Sequence, residues 1–174
     1  MEARLEGARV QVDIGFGDVV TPAPEEIIFP ALPDFPAPHL RPYPIYTVAA
    51  EKLEACVRRG TANTRMKDFF DLWFLSRKFP FEGEVLKAAI TRTFVRREML
   101  LPTTVPVTLT PEFATLKANT CAMFIRRDAR APVEMTATLD VIHAFAWHVM
   151  AAAANAVVFN ECWPHEKGRA FPMR

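Results

Sequence analysis

The sequence has almost no net charge, few cysteines and no long apolar run. Its 21 basic and 20 acidic residues leave a net charge of +1, so the whole chain produces no field that favours nucleic acid or membrane surfaces, although a local basic face remains open. The three cysteines are far apart and form no Cys-x-x-Cys pair, which indicates neither a disulfide framework nor a zinc site. We therefore expect a reduced, cytoplasmic protein.

Other absences concern membranes and export. No apolar stretch approaches the roughly 20 residues of a membrane-spanning helix, and the opening MEARLEGARV is too charged for a signal peptide. We therefore expect no membrane partner. What the chain does have is a hydrophobic fraction of 51% over 174 residues. That is enough for a real core, in one ordinary domain or in a small domain joined to a piece of another.

The first quarter of the chain predicts strands and extended backbone. Residues 3–14, ARLEGARVQVDI, alternate apolar and polar side chains after a turn at Glu6-Gly7, which is typical of a β-hairpin. Residues 22–44 hold eight of the 15 prolines, which excludes a helix there. This segment predicts a short strand at residues 27–29 inside an extended, ordered connection.

Beyond Pro44 the pattern becomes helical. Thr47, Thr64 and Thr110 are predicted to cap helices through their hydroxyl groups, and Gly60 is predicted to end the first one. The apolar periodicity predicts five helices, over residues 47–59, 65–79, 84–97, 111–127 and 136–154. The fold class is therefore predicted to be α+β, with a sheet portion in residues 1–45 and a helical lobe in residues 46–174.

The second predicted helix, RMKDFFDLWFLSRKF, carries charges in its first turns. Lys67 and Asp71 are four residues apart, so they can form an ordinary helix ion pair worth about 0.3 kcal/mol. Asp68 is left without a partner by this pairing, although an aspartate early in a helix also complements the helix dipole. The alternative is that these charges form one wall of a binding site.

Two further residues are candidates for a site. Asp13 leaves a predicted strand just before GFGD, where a carboxylate can hold a divalent ion; alternatively it faces solvent on an edge strand. Lys52, at the centre of AAEKLEA, is placed to contact phosphates; alternatively it is a surface lysine paired with Glu51 or Glu54. The residues alone leave both pairs of alternatives open.

In order and spacing, the segments VQVDIGFGD, AEKLEA, RMKDFFDLWFL, LTPEF and WP resemble the second part of the AbiEii/AbiGii nucleotidyltransferase toxins. The resemblance covers most of the chain and is most specific where KLEA is followed by R-x-KDFFDLW. It implies the remnant of a polymerase-beta-like nucleotidyltransferase sheet followed by a mainly α-helical lobe. It also implies a nucleoside triphosphate substrate, Mg2+, in some members an RNA acceptor at the 3′ end of tRNA, and a cognate antitoxin.

The resemblance assigns roles to individual residues. Asp13 is similar to the catalytic, metal-binding carboxylate of the sheet, and Asp68 to the catalytic aspartate of the helix. Lys52 is similar to the lysine that faces the triphosphate. The nucleotide-binding assignment also includes three residues of the helix motif, Arg65, Lys67 and Asp71. We therefore expect the side chains of Asp13, Lys52 and Asp68 to converge on one concavity.

The sequence departs from the family pattern at its start. It contains neither the Gly-rich turn nor the Ser-x-Asp-x-Asp strand motif, and Asp13 is its first aspartate. We therefore expect an N-terminally truncated nucleotidyltransferase toxin that binds Mg2+ weakly or not at all and is inactive alone. One alternative is an inactive remnant. The other is a non-catalytic helical module that binds an antitoxin or nucleic acid through its arginines, namely Arg58, Arg59, Arg65, Arg126, Arg127 and Arg130.

Overall fold

The protein is represented by a computed structural model, which describes residues 2–5, 8–11, 17–31, 33–126 and 134–164. Within these residues the fold is α+β and mostly helical, as predicted. Three small antiparallel sheets contain two strands each: β1 (Glu2–Leu5) with β2 (Ala8–Gln11), β3 (Ile27–Ile28) with β4 (His39–Leu40), and β5 (Phe81–Glu82) with β6 (Cys162–Trp163). The helices are α1 (Ile45–Arg59), α2 (Met66–Lys78), α3 (Gly83–Arg96), α4 (Pro111–Ile125) and α5 (Met135–Ala154).

The two N-terminal sheets account for the predicted strands. β1 and β2 form the expected hairpin, with Leu5 opposite Ala8, and Asp13 lies outside the described residues. β3 is one residue shorter than predicted because Phe29 lies opposite Pro38, which has no N–H to return the hydrogen bond that it accepts. Its partner β4 was not anticipated, and the pairing continues into a single further hydrogen bond from Phe29 N to the Pro38 carbonyl, at 2.9 Å.

The start of α1 corrects one predicted cap. The helix begins at Ile45, two residues early, and Pro44 occupies the N-cap position. The hydroxyl of Thr47 donates to the carbonyl of Thr21 and accepts from the Thr21 N–H, both at 2.8 Å. Thr21 is buried, so its backbone groups need partners inside the protein. Thr47 therefore fixes the incoming segment and does not cap the helix. Gly60 ends α1 with φ 49°, as predicted.

The start of α2 corrects a second cap. The helix runs over Met66–Lys78, within one residue of the prediction at each end, and Arg65 occupies its N-cap position. Thr64 is exposed. The local polar contact comes instead from Asn63, whose side-chain oxygen accepts a hydrogen bond from the Arg65 N–H at 2.9 Å. Asn63 is fully buried, so it fixes the turn between α1 and α2.

The remaining helices agree with the sequence pattern to within two residues. Thr110 occupies the N-cap position of α4, as predicted, but its hydroxyl donates to the Val107 carbonyl at 2.9 Å and does not cap the helix. α5 is the central helix and contacts α2, α3 and α4. Five of its apolar residues at helical spacing are buried: Leu139, Ile142, Phe145, Ala146 and Val149.

The expectation that no apolar stretch approaches the length of a membrane span is wrong for α5, which by length and composition alone is the one described helix that could cross a membrane. In this fold its apolar side chains pack in the core, against residues such as Phe69 and Leu72 of α2. Core packing accounts for its apolar composition.

Candidate functional site

Lys52 of α1 meets the first two turns of α2 in one group of charges. The Lys52 Nζ lies 2.6 Å from Asp71 Oδ2 and 3.3 Å from Asp68 Oδ1. The Lys67 Nζ lies 2.7 Å from the same Asp71 oxygen, and the Arg65 Nε lies 3.0 Å from Asp68 Oδ2. We call these five residues the charged cluster.

Helix periodicity and packing bring the cluster together. Asp68 and Asp71 are three residues apart on α2 and therefore point to one side. The neighbouring residues Phe69 and Leu72 are buried in the core, which fixes the rotation of the helix. α1 packs against α2, and its Leu53 is anchored in the same core, so the preceding residue, Lys52, reaches both carboxylates.

Exposure differs sharply within the cluster. The Asp68 side chain is 4% exposed, whereas Lys52 is 18% and Asp71 is 21% exposed. The two remaining cations extend into solvent, with Arg65 at 55% and Lys67 at 73%. Three positive groups thus accompany two negative ones, and the most exposed groups are positive. An approaching anion would meet the cations first.

The carboxylates differ in how well they are partnered. Burial raises the pKa of Asp71, but hydrogen bonds from Lys52 and Lys67 and the charges of both lysines outweigh that effect, so the pKa is below its ordinary range. One oxygen of Asp68, Oδ2, is buried and accepts no hydrogen bond within the described part of the chain. Its contact with Arg65 is an ion pair without the alignment of a hydrogen bond. Asp68 therefore retains acceptor capacity.

Cys56 is a neighbour of the cluster but not a reactive group. Burial raises the pKa of its thiol to about 12, and the charge of Asp68 acts in the same direction. A thiol with such a pKa is neutral and a poor nucleophile at physiological pH.

The geometry decides between some of the sequence alternatives. Pairing of Lys52 with Glu51 or Glu54 is wrong: Glu51 accepts a hydrogen bond from the Tyr43 hydroxyl at 2.7 Å, and Glu54 pairs with Arg58 at 3.0 Å. The Lys67–Asp71 ion pair is confirmed, although Lys52 shares it.

Lys52 and Asp68 do lie together, as expected, in a contact that spans two helices. Their catalytic and nucleotide-binding roles stay predictions, as do those of Arg65, Lys67 and Asp71. Asp13 lies outside the described residues, so its convergence on the cluster is untested.

The cluster does not fit a magnesium ion in this arrangement. Mg2+ prefers several oxygen ligands in near-octahedral geometry, whereas the oxygens of Asp68 and Asp71 face ammonium and guanidinium groups. Among the described residues, no group of three or more His, Cys, Asp or Glu side chains is placed to hold a metal ion.

Sequence reasoning missed a set of arginines on α3 that hold the segment after Asp13. The Arg96 Nε donates to the Gly17 carbonyl at 2.7 Å, and an Arg92 nitrogen donates to the Thr21 hydroxyl at 3.2 Å. Arg97 contacts Asp18 at 3.3 Å. The only available signal was the concentration of arginines in RTFVRR, which by itself is typical of a helix end.

Comparison with known protein families gives a match. The family model described as nucleotidyl transferase AbiEii toxin, type IV toxin–antitoxin system, matches residues 2–150. A match of that extent includes the charged cluster and four complete helices, and the chain belongs to the AbiEii nucleotidyl transferase toxin family. No curated protein and no solved structure matches the chain.

Proposed function

We propose that the charged cluster is the triphosphate-facing part of a nucleotidyltransferase site, and that the toxin transfers a nucleotide from a nucleoside triphosphate to an RNA acceptor, expected to be tRNA. The supporting observation is the arrangement of charge. A shared lysine, Lys52, contacts two carboxylates, and the exposed cations Arg65 and Lys67 contact Asp68 and Asp71 respectively.

In this proposal Lys52, Arg65 and Lys67 bind phosphate oxygens. A phosphate that contacts Lys52 competes with Asp68 and Asp71 for its ammonium group. A phosphate bound there would free Asp68 from its contact with Lys52. Asp68 can then accept the proton of the attacking RNA hydroxyl. Triphosphate binding and activation of the base are thereby coupled.

The sequence contains no Ser-x-Asp-x-Asp motif, and we propose that the early carboxylates come from outside these residues, so that the chain acts as an N-terminally truncated member. Asp13 would add the sheet-side catalytic carboxylate. When bound, Mg2+ would neutralise developing phosphate charge, but the described residues do not form its site. We also propose that the toxin is paired with a cognate antitoxin and acts in the cytoplasm.

The test is transfer of labelled nucleotide to tRNA by two proteins. The 174-residue chain should be inactive. A fusion that places a Gly-rich, Ser-x-Asp-x-Asp lobe of a family member before Met1 should be active. Asp68→Asn and Arg65→Ala in the fusion should lower the rate, because alignment and charge stabilisation account for most of the catalytic gain. Lys78→Ala, which alters an exposed lysine at the other end of α2, is the control.

Three results would contradict the proposal. Robust transfer by the unfused chain would exclude truncation. A folded fusion whose rate is unchanged by Asp68→Asn would exclude Asp68 as the base. A folded but inactive fusion would favour an inactive remnant or a non-catalytic module that binds an antitoxin or nucleic acid. The observation favouring the module is that Arg58, Arg59, Arg65 and Arg126 are all exposed; Arg127 and Arg130 lie outside the described residues.

A further inference from the structure

A concentrated basic surface joins α1 to α2. Residues 58–67, RRGTANTRMK, contain four cations and no acidic residue, although the whole chain is nearly neutral. The four cations, Arg58, Arg59, Arg65 and Lys67, are all exposed. We call residues 58–67 the basic junction.

The junction is continuous with the charged cluster. Arg65 and Lys67 belong to both, and the charges of Arg59, Arg65 and Lys52 all lower the pKa of the same buried thiol, Cys56. Lys52 and Arg65 also contact the same carboxylate, Asp68. Arg58, Arg65 and Lys67 each contact one carboxylate. Arg59 has no ion pair within the described residues.

The backbone of the junction is held in one shape. The single 3-10 turn Gly60–Ala62 packs against the 3-10 turn Val107–Leu109. The next residue, Asn63, is buried and bonds the Arg65 N–H through its side chain. A surface that is ordered before binding loses less conformational entropy when a ligand arrives.

We propose that the basic junction binds the sugar-phosphate backbone of the RNA acceptor and directs its 3′ end toward the charged cluster. This inference rests on the proposed function. Arginine and lysine neutralise phosphates without regard to sequence, and the exposed hydroxyl-bearing residues Thr61 and Thr64 add groups that bind phosphate oxygens.

An acidic protein partner fits the junction less well. Protein interfaces generally have a desolvated core with aromatic or other apolar anchors. The junction's large apolar residue, Met66, is 4% exposed and belongs to the core. The exposed large apolar side chains of the described residues lie in other segments, for example Phe35 and Leu100.

The test measures binding of fluorescein-labelled, in vitro transcribed tRNA to the 174-residue chain by fluorescence anisotropy over a range of salt concentrations. Loss of one phosphate contact should weaken binding about fivefold at about 0.1 M salt and reduce the salt slope by roughly 0.7. We expect this for Arg59→Ala. The control, Lys78→Ala, removes the same charge from the far end of α2 and should change binding less than twofold. Circular dichroism melts verify folding of both variants.

Several results separate this inference from the proposed function. tRNA binding that is absent in the wild type, unchanged in Arg59→Ala, or equally weakened in Lys78→Ala would overturn it. If poly-L-glutamate bound as tightly as tRNA and lost affinity equally in Arg59→Ala, the surface would fit an acidic protein. That result would also overturn the inference. Arg59-dependent tRNA binding would support it even if calorimetry detected no ATP binding by the fusion described above, a result that would contradict the proposed triphosphate role of Lys52.

Discussion

Two lysines lie at similar distances from Asp71 but differ in burial, and burial determines how much each ion pair contributes to the stability of the fold. Lys52 and Lys67 approach the same oxygen of Asp71, at 2.6 and 2.7 Å. Lys67 is 73% exposed, so water and salt replace most of its attraction. Lys52 is 18% exposed and also contacts Asp68, which is 4% exposed. Of the two lysines, only Lys52 therefore offsets the cost of burying the Asp68 carboxylate.

This difference predicts unequal effects of two matched substitutions. Lys52→Ala should lower the free energy of unfolding by about 3 kcal/mol, because Asp68 loses one of its two cations. Lys67→Ala should lower it by only about 0.5 kcal/mol. Chemical denaturation with urea measures both changes, and the corresponding fall in melting temperature for Lys52→Ala is roughly 6–12 °C. Equal losses for the two lysines would contradict the stated role of burial.

The lowered pKa of Asp71 predicts how the free energy of unfolding depends on pH. Its pKa in the folded protein is lower than the ordinary value of 3.8, so its ionised form contributes stability that is fully present above that ordinary value. The contribution disappears as pH falls through the lower, folded-state pKa. The free energies of unfolding of wild type and Asp71→Asn, measured with urea, should therefore differ near pH 7 and become equal in strong acid. A difference that grows toward low pH would contradict this sign.

At the scale of elements, the segment ending in β6 closes over the start of α3. The Gly83 N–H donates to the Glu161 carbonyl at 2.9 Å, and the Trp163 indole donates to the Ser76 carbonyl at 2.6 Å. A β-carbon on Gly83 would overlap the backbone of Phe159 and Glu161. The absence of a side chain at Gly83 is what permits this approach.

We therefore expect Gly83→Ala to displace β6. Crowding of this kind costs about 1–3 kcal/mol, and release of the strand avoids part of that cost. The measurement is hydrogen exchange of the Trp163 indole, which should become faster in Gly83→Ala. Ala88→Gly, in the middle of the same helix, is the control: it should lower stability by about 1 kcal/mol without selectively exposing Trp163. Unchanged protection of the indole in Gly83→Ala would show that the strand tolerates the added methyl group.

Element types were predictable from the sequence, but several contacts were not. Apolar periodicity located α2 and α5, since both depend on local spacing. The capping tendency of threonine gave wrong predictions at Thr47 and Thr64. The Thr47 hydroxyl bonds the backbone of Thr21 instead. At the start of α2, the Asn63 side chain accepts the local hydrogen bond that was expected of Thr64. The contact between Lys52 and Asp71 joins residues 19 apart on different helices. Helix packing creates it, and no local pattern encodes helix packing.

For the whole molecule, net charge is a poor guide to where charge acts. The chain carries +1 overall, yet the basic junction concentrates four cations without an acid, and the adjoining cluster pairs three cations with two carboxylates, of which Asp68 is buried. Electrostatic attraction between exposed groups fades beyond about 10 Å at 0.1 M salt. A phosphate near the junction therefore experiences these local charges much more strongly than the average of the chain.

The same local arrangement predicts the response to magnesium. Asp68 and Asp71 are already neutralised by Lys52, Arg65 and Lys67, so a divalent cation would have to displace those groups and overcome their repulsion. Calorimetric titration of the 174-residue chain with Mg2+ should therefore show no tight, stoichiometric binding, and Asp13→Asn should change the titration little. Tight one-to-one binding that Asp13→Asn abolishes would contradict this prediction. It would show that Asp13 recruits enough oxygen ligands to hold the ion without a further lobe.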